Sequence, residues 1–355
     1  MKGNIRTIVA MSGGVDSSVA AYLLKEKGHD LLGVTFEMFD EGGEGKGGRS
    51  AEQAGRVAES IGIPHKTVRI HDLFKKRVVS YFIEEYLKGR TPVPCALCNK
   101  FVKFGHLISI ARDEGFRFIA TGHYARAVEA QGGYLLKKGI DTERDQSYFL
   151  SRLGQEELIR VIFPLGELKK DRVREISSEI KLPAIPLESR EICFISNIGN
   201  KSYRDFIEKE IDKSGADGGG EIVDASGRVL GKHNGYYHFT VGQRRGIGIP
   251  SEEPYYVMRI DAEERSVVVG KRDSLLERDV TATDFSWVSG IRPKDDQIRV
   301  SGMIRYNQSP GLGIAIIEDH DRVTVRFDKP RFAPAPGQIL AIYKDDTLLG
   351  GGFIS

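Results

Sequence analysis

Residues 7–18, Thr-Ile-Val-Ala-Met-Ser-Gly-Gly-Val-Asp-Ser-Ser, constrain the fold more than any other stretch of the chain. Ile8, Val9 and Ala10 form a short apolar run that suits a buried parallel strand. Met11 and Ser12 lead into two adjacent glycines, Gly13 and Gly14, which let the backbone turn tightly and approach a ligand closely. Residues 15–27 follow, with Val19, Ala20, Leu23 and Leu24 at helical spacing. A helix that starts directly after such a turn aims its free N–H groups and positive dipole end into it. The hydroxyls of Ser12, Ser17 and Ser18 add donors. The pattern predicts a phosphate cradle.

This cradle is neither of the two common ones. Residues 7–18 contain no G-x-x-x-x-G-K-[ST] and no G-x-G-x-x-G, so a Walker-type NTPase and a dinucleotide fold lack support from this stretch. Ser-Gly-Gly-Val-Asp-Ser-Ser at 12–18 resembles the PP-loop of ATP pyrophosphatases, which adenylate a substrate and release pyrophosphate.

The first 120 residues alternate strand and helix: strands at 29–36, 65–70 and 116–121, helices at 51–60, 73–87 and 99–114. That order implies a parallel sheet with helices on both faces, whose ligands bind beyond the carboxyl ends of the strands. Ser12–Ser17, Phe36 and Gly122-His123 all fall at such ends. Residues 41–49 hold five glycines and read as a flexible loop. After Ser196 the pattern changes to one more helix at 202–211, a Gly-rich linker at 214–220, then short strands with turns, including 236–241. Such strands suggest a small β-rich middle domain and a C-terminal β-barrel. The expected units are 1–200, 201–272 and 273–355.

With 355 residues, two or three domains are expected. The net charge is +2, from 52 basic and 50 acidic residues, so any RNA site has to come from local patches. Lys169, Lys170, Arg172 and Arg174 read as an exposed basic helix face. Arg144, Asp145 and Gln146 read by themselves as a solvated turn before an aromatic stretch. The N-terminus lacks a signal peptide's apolar core and no run approaches a membrane span, so a cytoplasmic protein with no membrane partner is expected.

The chain has three cysteines. Cys95 and Cys98 form a C-x-x-C in a Pro-rich segment at 89–100, read as an exposed loop with Asn99 capping the next helix; Cys193 lies far away in sequence. A disulfide framework is unfavoured, and three uses compete. Zinc would need a fourth ligand, such as His123. A thiol–disulfide relay needs only two of the cysteines. Three thiolates on an iron–sulfur cluster would leave one iron open to exogenous sulfur.

From end to end the chain resembles the tRNA-specific 2-thiouridylases. The motifs are Ser-Gly-Gly-Val-Asp-Ser-Ser, Gly-Arg-Thr-Pro-x-Pro-x-x-x-Cys-Asn-Lys at 89–100, Ala-Thr-Gly-His-Tyr-Ala at 120–125 and Asp-Gln-Ser-Tyr-Phe-Leu at 145–150. They continue with Phe-Pro-Leu-Gly-Glu-Leu-Lys-Lys at 163–170, Ile-Cys-Phe-Ile at 192–195, Thr-Val-Gly-Gln-Arg-Arg-Gly at 240–246, Arg-Tyr at 305–306, Pro-Gly-Gln at 336–338 and Leu-Gly-Gly-Gly at 349–352. The resemblance implies an α/β N-terminal PP-loop (adenine nucleotide alpha hydrolase-like) parallel-sheet domain, a small β-rich central domain and a C-terminal β-barrel. It implies ATP, with Mg2+, at Ala10, Met11, Ser12, Gly13, Gly14, Val15, Asp16, Ser17, Phe36 and Gly122. ATP adenylates the C2 oxygen of the tRNA wobble uridine, and sulfur then replaces it. Cys98 corresponds to the nucleophile and Cys193 to the persulfide carrier. Val93, Pro94, Cys95, His123, Arg144, Asp145, Gln146, Arg305, Tyr306 and Gln338 match tRNA-contacting positions.

Three departures stand out. Phe36 replaces a common Met, Arg144 the usual Lys, and Cys95 the Asp of the well-known persulfide members. Three cysteines so arranged resemble the branch of tRNA thiolases that holds a [4Fe–4S] cluster, implying Cys95, Cys98 and Cys193 as ligands and inorganic sulfide as donor. The persulfide route uses Cys98 and Cys193 alone, with a cysteine desulfurase or relay protein as donor. An amidating ligase of the same loop class would have no use for three cysteines or a barrel. A non-catalytic RNA-binding protein would have no use for an intact cradle.

Overall fold

The computed structural model describes residues 5–38, 47–184, 192–197, 202–212, 219–319 and 321–355. Strand β1 (Arg6–Ala10) buries Ile8 and Val9 completely, as its apolar run requires. It lies between β2 (Asp30–Glu37) and β4 (Phe118–Ala120), both parallel to it. With β3 (His65–Arg69) and β7 (Val161–Ile162) outside them, the sheet order is β3-β2-β1-β4-β7, parallel throughout. The order reverses between β1 and β4. In a doubly wound sheet that is where a ligand crevice opens. Helix α1 (Val15–Glu26) starts from the end of β1, and α2 (Gly47–Ile61) packs beside it.

The strand-helix alternation expected for the first 120 residues is present. Two local expectations need correction. The segment around the cysteines is helical from Pro94, through Pro94–Leu97, a π-helical stretch Cys98–His106, and Leu107–Asp113. Proline fits a helix's first position because its missing N–H has no partner there anyway. Asn99 therefore caps nothing: it is buried inside the rod and donates from Nδ2 to the Phe149 carbonyl at 3.0 Å. At 236–241 there is a short 3-10 turn, Tyr236–His238, rather than a strand, with Tyr236 hydrogen-bonded to the Leu87 carbonyl at 2.8 Å. The 41–46 part of the expected glycine loop and 214–218 of the expected linker lie outside the described residues.

The middle sheet orders as β10-β11-β8-β9, from β8 (Gly220–Asp224), β9 (Val229–His233), β10 (Tyr256–Asp261) and β11 (Ser266–Gly270). The last six strands are β12 (Leu276–Trp287), β13 (Gln297–Met303), β14 (Gly311–Ile317), β15 (Val323–Phe332), β16 (Ile339–Lys344) and β17 (Thr347–Ile354). They run antiparallel, and β12 pairs with both β15 and β17, which closes the barrel. Closure removes the exposed sheet edges. A hairpin that sequence periodicity does not reveal, β5 (Ala125–Ala130) with β6 (Gly133–Lys138), leaves the first domain and pairs with β17.

Strand alternation makes β16 serve two cores. Leu340 and Ile342 point into the barrel interior, while Ile339, Ala341 and Tyr343 join the core beside the parallel sheet. A second core, between the first and middle domains, contains Phe82, Phe194, Phe206, Val257 and Cys98. No described helix is long and apolar enough to cross a membrane.

Candidate active site

The strand, glycine turn and helix form as their sequence predicts, but the Ser17 and Ser18 hydroxyls, expected as donors to a ligand, are spent inside the turn. Gly13 has φ +76°, a conformation that favours glycine, and a Cβ there would lie 2.9 Å from Gln53 Cβ on α2. Met11 is buried, and its carbonyl accepts from Thr35 Oγ1 at 2.9 Å, which ties the turn to β2. Ser12 N–H donates to Ser17 Oγ at 3.1 Å, and the Ser17 and Ser18 hydroxyls donate to the Gly14 carbonyl at 3.1 and 2.8 Å. Gly14 caps α1 without a side chain, so no cap oxygen occupies the first N–H groups of Val15, Asp16 and Ser17. At the neighbouring strand end, a Cβ on Gly122 would lie 2.9 Å from the backbone of Asp16 and Ser17. The β4 exit is thereby pressed against the cradle. Phe36 is half-buried, its ring 5.7 Å from that of His106.

Sequence reasoning missed two residues of this site, Lys170 and Tyr124. Lys170 was expected on an exposed basic face, yet only 7% of it is exposed. Its Nζ lies 2.8 Å from both carboxylate oxygens of Asp16. Tyr124 donates its hydroxyl to Asp16 Oδ1 at 2.8 Å, and burial together with the Asp16 charge raises the Tyr124 pKa. Lys170 begins helix Lys170–Glu179, and its backbone N–H donates to Asp141 Oδ2 at 2.8 Å. Val173 and Ile176 of this helix pack on Val19 and Ala20 of α1. The signal available in the sequence was the apolar 3.6-residue spacing of those side chains, which orients Lys170 inward with them.

The three cysteines share one electrostatic neighbourhood. Cys95 is exposed as a residue, Cys98 is 6% exposed and Cys193 is intermediate. Burial pushes the Cys98 thiol up to about 12; Lys103 opposes this, and Cys193 and Cys95 add to it. Cys193 is pushed up to about 11 by burial and then by Cys95, again against Lys103. Burial around the sulfur raises Cys95 as well, with Lys103 opposing. Lys103 sits in the same π-helical stretch as Cys98 and is the cation all three thiols feel. Of the three competing uses, zinc finds no support: among the described residues no group of three or more His, Cys, Asp or Glu is placed to hold a metal ion. A single zinc binds thiolates at about 2.3 Å and would need their sulfurs drawn closely together. His123 is turned elsewhere. Its Nδ1 is 2.7 Å from Thr121 Oγ1 and its ring packs by Phe104 and Phe163, and burial, with Lys103, holds its pKa well below the usual value.

The remaining expected site residues make internal contacts. Asp145 accepts from Gly139 N–H, Ser147 N–H and Ser147 Oγ at 3.1, 3.1 and 2.7 Å. Gln146 accepts the Tyr124 N–H at 3.1 Å, and Arg144 N–H donates to the Asp141 carbonyl at 3.1 Å. Tyr306 packs on Phe149, ring centroids 4.5 Å apart. Arg305 Nη2 bridges the carbonyls of Val241 and Ala333 at 2.6 and 3.0 Å, and its buried Nε has no acceptor among the described residues. Gln338 Nε2 donates to the Thr91 carbonyl at 3.1 Å, and Thr91 N–H donates to Pro336 at 2.7 Å. The barrel thus holds the strap that enters the cysteine helix. Val93 and Pro94, at the end of that strap, are buried.

A parallel sheet with a glycine turn and open helix N-terminus at its switch point defines an α/β fold with a site suited to an anionic group. Family models agree along the chain. Residues 5–197 match the tRNA methyl transferase HUP domain, 204–271 the tRNA methyl transferase PRC-barrel domain, and 277–354 the Aminomethyltransferase beta-barrel domain. The chain is 42% identical over 365 residues to tRNA-specific 2-thiouridylase MnmA 1 of Caldanaerobacter subterraneus subsp. tengcongensis, covering 100% of this chain and 99% of that protein. It is 41% identical over 362 residues to tRNA-specific 2-thiouridylase MnmA of Clostridium acetobutylicum, with 99% of each covered. The chain belongs to the tRNA-specific 2-thiouridylase family.

Proposed function

We propose that this protein uses ATP to replace the C2 oxygen of a tRNA wobble uridine by sulfur. The observation that carries this reading is one domain holding both an anion cradle and a cluster of mutually influencing thiols, in a chain of this family. Ala10–Ser17, Phe36 and Gly122 take the ATP, with Mg2+, and the α1 N-terminus faces the pyrophosphate. The uracil C2 oxygen attacks the α-phosphorus and pyrophosphate leaves. Sulfur then adds at C2 and AMP departs with the former oxygen. Methyl transfer, which two of the family-model names suggest, would leave the cradle and the thiols without a task.

For sulfur delivery, Cys193 carries a persulfide supplied by a cysteine desulfurase or relay protein. Cys98 attacks its inner sulfur, forming a Cys98–Cys193 disulfide and releasing hydrosulfide to C2; a thiol reductant reopens the disulfide. Attack needs the thiolate. Burial holds the Cys98 thiol up at about 12, and Lys103 is the charge that favours its thiolate. A second reading rests on the shared neighbourhood of all three cysteines. A [4Fe–4S] cluster spreads its thiolates around a body of its own, so Cys95, Cys98 and Cys193 would hold it without forming a single-ion site. When bound it would supply an iron without a protein ligand as a place for inorganic sulfide. Val93, Pro94, His123, Arg144, Asp145, Gln146, Arg305, Tyr306 and Gln338 are assigned to the tRNA side, where docking would have to exchange several of their internal bonds.

Nucleoside mass spectrometry of tRNA from cells lacking the gene tests the reaction. Loss of 2-thiouridine is expected; unchanged 2-thiouridine with no second thiolase present would refute it. Anaerobic reconstitution separates the sulfur routes. Iron bound in wild type and lost in Cys95→Ser supports the cluster, whereas thiolation by iron-free enzyme with a persulfide donor supports the persulfide.

A further inference from the structure

Asp16 sets an electrostatic problem for its own site. In the first turn of α1 a carboxylate suits the helix dipole. The same charge opposes any polyanion entering the cradle at a few ångströms' range. The structure places a counter-charge on it. Lys170 Nζ meets both Asp16 oxygens at 2.8 Å, and Tyr124 donates to Oδ1. The lysine side chain is 9% exposed and that of Asp16 34%. A nearly buried cation needs this partner, because an unpaired buried charge is strongly destabilising. Its backbone N–H is fixed independently by Asp141, so the lysine is anchored at its main chain as well as at its ammonium.

We propose that Lys170 is a positioning residue of the cradle: it neutralises Asp16 so that the α1 N-terminus accepts pyrophosphate, and it orients a carboxylate that stays partly exposed to a divalent cation. The proposal rests on the cradle's assignment to ATP. It differs from direct phosphate binding by Lys170 in one respect: the need for Lys170 disappears once Asp16 carries no charge.

The test is calorimetric titration of the full-length protein with inorganic pyrophosphate, with and without Mg2+, with thermal melts as a folding control. Lys170→Met is expected to weaken pyrophosphate binding by roughly tenfold to a hundredfold, the range of one charge-assisted contact. Lys170→Arg should keep most of the affinity. The double variant D16N/K170M should bind as D16N does. If K170M binds as wild type does, or if D16N/K170M is as weak as K170M while D16N binds well, the proposal is overturned. Should K170M not fold, D16N against D16N/K170M decides the matter alone: equal affinity supports the counter-charge role and a weaker double variant refutes it. Wild type that binds no pyrophosphate would remove the ATP assignment instead.

Discussion

At the scale of single residues, Cys98 shows how burial governs chemistry. Its sulfur lies in the core between the first and middle domains, where a thiolate is poorly solvated. The folded thiol keeps its proton to about 12, whereas an unfolded cysteine releases it near about 8.5. The folded state therefore binds more protons above that lower value. The stabilising contribution is complete below about pH 8.5 and is lost as pH rises toward 12. Urea midpoints should fall over this alkaline range, and less steeply in Cys98→Ala. A midpoint that rises with pH would contradict the burial. Iodoacetamide at mildly alkaline pH should label exposed Cys95 ahead of Cys98, as peptide mass spectrometry can show. His123 illustrates the same effect in a base: its ring packs by Phe104 and Phe163, and burial, with Lys103, holds its pKa well below the usual value.

At the scale of elements, the site depends on how closely β4 and α1 approach. Gly122 lacks a Cβ where one would sit 2.9 Å from the Asp16 carbonyl carbon and the Ser17 nitrogen. Those neighbours are backbone atoms and cannot rotate away. Gly122→Ala should thus cost about 1–3 kcal/mol by overpacking and displace the cradle as well. Chemical denaturation and pyrophosphate titration measure the two effects; full stability with wild-type affinity would show that the approach is looser. The cysteine helix teaches a different lesson. Two prolines and two cysteines read as an irregular loop, but Pro94 occupies the first turn of a helix and Cys95 and Cys98 lie three residues apart along the helical rod. Composition suggested a loop because a proline is compatible with both contexts, and only the packing of Ala96, Val102 and Phe104 selects the helix.

At the scale of the molecule, the three sheets are joined by a few polar clasps over shared cores. Arg305 donates to one carbonyl of the middle region, Val241, and one near the barrel end, Ala333. Arg126 and Lys137 of the protruding hairpin pair with Asp346 beside β17. Arg305→Ala leaves two acceptors without their charged donor and should lower stability by about 1.5–3 kcal/mol or more. Limited proteolysis should then cut between the middle sheet and the barrel faster than in wild type. An unchanged digestion pattern would show that the apolar core alone holds the two together.

What the sequence determined by itself is local. The cradle was legible because strand, turn and helix are contiguous over residues 7–18, and backbone preference and hydrophobic period decide such a unit within its own length. The parallel sheet and the barrel were legible for the same reason, as repeated local patterns. Only the tertiary structure placed Lys170 on Asp16, 154 residues away, and put the thiols of Cys98 and Cys193 under each other's influence. Those meetings depend on which faces pack together, and that choice is spread over many non-local contacts rather than written at either residue. A lysine in a basic stretch looks the same in sequence whether it faces water or a carboxylate; the packing of Val173 and Ile176 against α1 decides which.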